Sequence, residues 1–190
     1  MTKSILLVGV GGQGTILASK LLTIGLMEAG FDVKMSEIHG MSQRGGAVSS
    51  QVRYGEVVYS PVIERGGADI LVSFELMEAL RWLEYLKPQG QVIVNDYRIN
   101  PMPVVSAQAV YPEGIAEKLA AKVPTIVVNA GNEALNLGNA RVMNIILLGA
   151  TIKRMGLEAI DWNRIIRANV KVAFVDINIR ALARGQELVA

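Results

Sequence analysis

Glu37, His39 and Arg44 fall within one short connector, Ser36-Glu-Ile-His-Gly-Met-Ser-Gln-Arg-Gly-Gly46, which holds the chain's only histidine. An imidazole can move a proton or fix a hydrogen bond near neutral pH. A guanidinium can hold a carboxylate or phosphate as a two-pronged fork. Glycines at 40, 45 and 46 let a backbone approach a ligand or partner closely. Polar density of this kind on a connector points to binding or catalysis, because loops on a rigid scaffold carry both. The competing reading is a turn in which Glu37 pairs with Arg44 and His39 satisfies backbone groups.

A second glycine segment, Gly9-Val-Gly-Gly-Gln-Gly14, follows the first apolar run. Gly9, Gly11 and Gly14 satisfy the spacing of a dinucleotide turn between a strand and a helix. Free N–H groups at such a helix start can hold a phosphate. Glu37 falls where an acid would meet a ribose. The alternative is that these glycines only permit tight packing of strand on helix. Gly12 and Gln13 depart from the common turn and expose more backbone, which suits a protein partner or a different phosphate.

The elements that must position these loops are legible in outline. Residues 4–8 read as a buried strand and 13–29 as a helix stopped by Gly30. Residues 33–38 read as the second strand. Together they predict a β-α-β unit with a right-handed crossover in a doubly wound, mostly parallel α/β sheet. Both loops then open at the carboxyl edge of that sheet. An inserted antiparallel hairpin is expected from 47–54 and 56–59 around Gly55. A strand at 70–73, a helix at 74–86 and a strand at 91–95 follow. Residues 96–111 read as a proline-bearing linker, with 104–110 as an optional edge strand. A helix at 113–122, a strand at 125–129, an apolar helix at 140–155 and a C-terminal helix from Trp162, broken near Asp176, complete the chain. Arg65-Gly-Gly67 reads as a turn, and Trp82 and Trp162 as core or interface anchors. Asn144 sits in an apolar helical stripe, where a buried amide must find partners. It is expected to hold a loop or to face another subunit. Asn178 poses the same question.

Composition narrows the function classes. The chain has 190 residues, 51% hydrophobic and 19% charged, with a net charge of +2. One domain, residues 1–190 with C-terminal helices from about 140, is expected. No basic stripe or aromatic ladder marks a nucleic-acid surface. No run reaches the roughly 18 apolar residues of a membrane span, and the amino-terminal segment does not read as a secretory signal. A cytoplasmic location is expected. The absence of cysteine excludes thiolate zinc, a cysteine nucleophile and an all-cysteine iron–sulfur cluster in this chain. The apolar composition predicts either a large core or an apolar face covered by another chain, the second being the favoured reading.

The two loops together resemble the gamma-type subunit or domain of the 2-oxoacid:ferredoxin oxidoreductases. The form His39-Gly-Met-Ser-Gln-Arg-Gly-Gly46 is most similar to the indolepyruvate branch of that family. Asn144-Ile-Ile-Leu-Leu-Gly149 and Asn178-Ile-Arg-Ala-Leu-Ala-Arg-Gly185 add to the likeness, which covers essentially the whole chain. The resemblance implies a complex that converts an arylpyruvate, coenzyme A and oxidised ferredoxin to an aryl-acetyl-CoA, carbon dioxide and reduced ferredoxin. It implies thiamine diphosphate and iron–sulfur clusters on an alpha partner, ferredoxin reached through the complex, and no cofactor or metal on this chain alone. The isolated chain is then expected to be inactive, and able to form a homodimer. The candidate catalytic residues are His39 and Arg44. The candidate binding or interface residues are Gly9, Gly11, Gly12, Gln13, Gly14, Glu37, His39, Ser42, Gln43, Arg44, Gly45, Gly46 and Asn144. The alternative from the residues alone is an independent NAD(P)-binding protein.

Overall fold

A computed structural model of the chain describes residues 2–39 and 45–190. Strands β1 (Lys3–Val10), β2 (Asp32–His39), β3 (Ala47–Gly55), β4 (Ala68–Ser73), β5 (Leu86–Asn95) and β6 (Thr125–Val128) form one sheet in the order β2-β3-β1-β4-β5-β6. β1, β4, β5 and β6 pair in parallel, whereas β3 runs antiparallel to both β1 and β2. The helices are α1 (Thr15–Glu28), α2 (Leu76–Arg81), α3 (Met102–Val105), α4 (Ile115–Ala120), α5 (Ala130–Asn136), α6 (Met143–Met155), α7 (Trp162–Asn169) and α8 (Val175–Glu187).

The sheet is covered on both faces, as its continuous apolar strands require. Ile5 and Leu7 of β1 point into one core with Leu21, Leu22 and Leu26 of α1 and the buried face of α6. Leu6 and Val8, one residue out of phase, point into the other core with Ala79, Ile115 and Leu119. Strand period 2 thus assigns successive residues to opposite cores. α6 is buried along nearly its whole length, from Asn144 to Ile152. α8 lies against it through two glycines: a Cβ built at Gly149 meets the Leu182 carbonyl oxygen, and one built at Gly185 meets that of Ile146. Trp162 fills the notch at Gly25 on α1 and donates its indole N–H to the Leu157 carbonyl at 2.8 Å.

The expected α/β architecture is present, with several differences in pairing. The antiparallel element is β3, paired with β1 on one side and with β2 on the other, where Glu37 lies opposite Ser50 and His39 opposite Val48. Residues 56–59 form no strand, so the hairpin around Gly55 is absent. β1 and β2 run the same way but are not neighbours, because β3 lies between them. The helix expected at 74–86 stops at Arg81, and β5 begins already at Leu86 and passes through Lys87 and Pro88. Residues 104–110 hold part of α3 and a turn instead of an edge strand. The C-terminal helix breaks at Val170, where the backbone is extended, six residues earlier than Asp176. α5 was not expected at all. Among the described residues, no helix is long and apolar enough to cross a membrane.

Candidate functional site

The glycine turn and the second connector meet at the carboxyl edge of β1 and β2. Gly11 N donates to the Gly46 carbonyl oxygen at 2.8 Å, and Gly45 N donates to that of Gly11 at 3.3 Å. The loops singled out by their chemistry therefore form one surface. Gly40, Met41, Ser42, Gln43 and Arg44 lie outside the described residues, so the placement of Ser42, Gln43 and Arg44 is not part of this geometry.

Each glycine of the turn has its own reason. Gly9 lies where a Cβ would stand 2.9 Å from that of Phe74, which enforces close strand packing. Gly14 is left-handed, with φ 81°, and caps the start of α1. A Cβ there would approach Asn144 Nδ2 to 2.6 Å. Gly12 also has positive φ, and among the described residues no atom beyond its chain neighbours lies within 4 Å of its missing Cβ. Packing thus explains Gly9 and Gly14, whereas among the described residues it places nothing against Gly12.

Gln13 fixes the turn from inside. Its Oε1 accepts from Val10 N and its Nε2 donates to the Phe74 carbonyl oxygen, both at 2.8 Å. The same carbonyl accepts from Asn95 Nδ2 at 3.2 Å. Asn95 is fully buried, and its Oδ1 accepts from Ala130 N at 3.0 Å. The turn is thereby tied to the ends of β4 and β5 and to the start of α5. Asn144, from α6, donates to the Gly14 carbonyl oxygen at 3.0 Å, while its own Oδ1 is buried with no partner among the described residues. Asn144 thereby holds the glycine turn. Asn178 instead donates to the Phe174 carbonyl oxygen at 2.7 Å, within its own helical segment.

Two cavities flank the turn. One, of about 360 Å³, is lined by Gly11, Gly12, Gly14, Thr15, Ile16, His39 and Val48. Among the described residues, His39 is its one titratable lining group, and Ile16 is half exposed beside it. The other, of about 600 Å³, lies between Gly11–Gln13 and the segments carrying Asp96, Tyr97, Ile99, Asn129 and Leu135. Glu37 does not join either lining. Its Oε1 accepts from Ser19 Oγ at 2.8 Å, so it is turned onto α1. With β3 interposed, β2 stands about 10 Å from β1, two strand spacings instead of one. Glu37 is therefore not where a ribose-binding acid stands in a dinucleotide fold.

Sequence reasoning missed Asp96, Tyr97 and Asn129, which line the second cavity, and Asn95, which ties the turn to α5. A polar residue directly after a buried apolar strand was the available signal, since such positions lie at the ligand-bearing edge of an α/β sheet. It also missed Glu75, buried two residues after β4. Among the described residues no three His, Asp or Glu side chains come together as metal ligands, and the sequence has no cysteine. The residues of this chain therefore do not fit an iron–sulfur cluster.

The pyruvate ferredoxin/flavodoxin oxidoreductase family matches residues 4–188. The chain belongs to that family. It is 37% identical over 190 residues to the indolepyruvate oxidoreductase subunit IorB of Pyrococcus horikoshii, covering 96% of this chain and 93% of the relative. The subunit of the same name from Thermococcus kodakarensis is also 37% identical, with the same coverage. Among solved structures, the pyruvate oxidoreductase subunit PORC of Thermotoga maritima is 25% identical, with a TM-score of 0.74 over 98% of this chain and 96% of that one. The chain is therefore a subunit of an oxidoreductase of the 2-oxoacid:ferredoxin type. Both glycine loops and Asn144 fall within the family match.

Proposed function

We propose that this chain is the small, gamma-type subunit of an indolepyruvate ferredoxin oxidoreductase, a single unit spanning residues 1–190. The complex oxidatively decarboxylates indolepyruvate and other arylpyruvates with coenzyme A, giving an aryl-acetyl-CoA, carbon dioxide and reduced ferredoxin. Thiamine diphosphate and the iron–sulfur clusters belong to the larger alpha subunit, through which ferredoxin is reached, and the complex is cytoplasmic. The full-length likeness to subunits named for indolepyruvate carries this reading. The bonded pair of loops supports it, because the described residues offer a shaped, glycine-lined surface at the carboxyl edge of the sheet.

On this reading the edge formed by Gly11, Gly12, Gly45, Gly46 and His39 faces the partner's active-site region. His39 supplies a hydrogen bond at the cavity mouth, and Arg44 an anion fork for a carboxylate or for coenzyme A. Alone, the chain is inactive. The test is purification of the tagged chain from its own cells, followed by viologen reduction with indolepyruvate and coenzyme A. His39→Ala and Arg44→Ala should assemble normally and lose turnover. Unchanged turnover in both would remove their assigned roles, and a lone, inactive wild-type chain would remove the reading itself.

The competing reading, an independent NAD(P)-binding protein, predicts micromolar binding of NADH to the isolated chain by calorimetry. The interposed β3 and the Ser19–Glu37 bond weigh against it.

A further inference from the structure

One carboxylate closes the loop formed by residues 99–111. Glu75, only 1% exposed, accepts the Ile99 N–H at 3.1 Å and the Tyr111 hydroxyl at 2.5 Å on the same oxygen, Oε1. Its Oε2 accepts Glu78 N at 3.0 Å. The Arg98 guanidinium lies 4.1 Å above the centroid of the Tyr111 ring. Both ends of the loop are thus pinned at one point, as in a compact Ω-type loop. Its interior is bonded as well: Ser106 N donates to Met102 O at 2.9 Å, and Gln108 N to Pro103 O at 2.8 Å. Ala107 holds a left-handed φ of 57°, the one non-glycine residue among those described to do so. The loop is a built feature.

Its large exposed aliphatic side chains stand among uncharged neighbours. Met102 is 74% exposed, Val105 64% and Val110 89%. No charged residue occurs between Ile99 and Pro112, in a chain of which 19% is charged. A fixed loop that shows three large apolar side chains and no charge has the make-up of an interface core, where charged residues are depleted.

Its position says what covers it. Ile99 and the adjacent Tyr97 line the cleft of about 600 Å³ shared with Gly11, Gly12 and Gln13. A partner surface that covers the glycine turn and extends across this cleft reaches the loop beside it. We infer that residues 99–111 dock the larger, thiamine-bearing subunit, through an apolar and uncharged patch on that partner that packs on Met102, Val105 and Val110. The inference rests on the proposed function, since it takes its occupant from that reading.

The test measures assembly of the tagged chain with that subunit, identified by its bound thiamine diphosphate and iron–sulfur absorbance. Val105→Asp, Met102→Lys and Val110→Lys are each compared with Val172→Asp, which places a charge on the exposed connection between α7 and α8. Circular dichroism and the thermal midpoint of the free chain establish folding for each variant. The expected result is a folded chain whose affinity for the partner falls about thirty-fold or more for charges of either sign on the loop, with Val172→Asp at the wild-type value. Wild-type affinity in the folded loop variants would overturn the inference. So would loss confined to one sign of charge, or a change in self-association in place of partner binding. If assembly is lost as expected but the wild-type complex turns over no 2-oxoacid, the docking surface stands and the functional reading falls.

Discussion

Asn144 donates from the buried start of α6 to the carbonyl oxygen of Gly14, 130 residues earlier in the chain, at 3.0 Å. The contact is close as well as polar, since a Cβ at Gly14 would stand 2.6 Å from the same Nδ2. The shape of the glycine turn is therefore held by the C-terminal half of the molecule. Gly14→Ala should destabilise by about 1–3 kcal/mol from its left-handed backbone alone, and more from the clash. Asn144→Ala should cost about 1 kcal/mol through the lost hydrogen bond. Urea denaturation of both single variants and the double variant should show non-additivity, with the double variant more stable than the sum predicts. Strict additivity would mean that the two residues do not constrain each other.

Gly149 and Gly185 allow α6 and α8 to touch backbone to backbone. Neither glycine has positive φ, so an alanine at either site would be favoured by helix propensity alone. The contact reverses that preference. Gly149→Ala and Gly185→Ala should each destabilise by about 3 kcal/mol or more, as overpacking against a rigid carbonyl does. A rise in the urea midpoint for either variant would contradict the packing.

Tyr111→Phe removes one of the three donors on Glu75 while keeping the ring on Arg98. Burial, followed by the adjacent Glu75 carboxylate, raises the Tyr111 pKa, so the phenol stays protonated and donates across the physiological range. Loss of a buried hydrogen bond to a carboxylate should cost about 1–3 kcal/mol. Hydrogen exchange should quicken at amides of residues 99–111 and leave β1 protected. Uniform quickening across the sheet would mean that Tyr111 supports the whole fold, not one loop.

Two carboxylates titrate with opposite sign. Burial raises the Glu78 pKa, with Arg81 at 3.2 Å opposing it. The folded chain then holds this proton above the ordinary carboxylate value, so stability falls as pH rises from that value to the folded one. Glu133 is shifted the other way by the hydrogen bond from Arg184, at 2.8 Å. Its contribution is present above the ordinary value and is lost as pH falls through the lowered one. Denaturation midpoints from about pH 3 to 7 should therefore lose their declining limb in Glu78→Gln and lose acid sensitivity in Glu133→Gln. The reverse assignment of limbs would refute both.

The sequence by itself determined the α/β class, the strand–turn–helix at the start of the chain, and the two loops that matter. Those features are local. Glycine at 14 permits a left-handed backbone that few other residues adopt, glycine at 9 permits close packing on Phe74, and a continuous apolar run ending in glycine marks a strand buried on both faces. The likeness of the loop at 37–46 to one family was legible for the same reason. Tertiary structure decided which elements are neighbours. Alternation in β3 shows that Val52 and Gln51 face opposite ways, but the same pattern suits pairing with residues 56–59, with β2 or with β1. Only assembly of the sheet selects the last two, and in doing so it moves Glu37 away from the glycine turn and onto Ser19. The bond from Asn144 to Gly14 and the two ends of a loop on Glu75 join residues far apart in sequence. Their energy comes from burial and from satisfying polar groups away from water, and both exist only once the chain has closed around them.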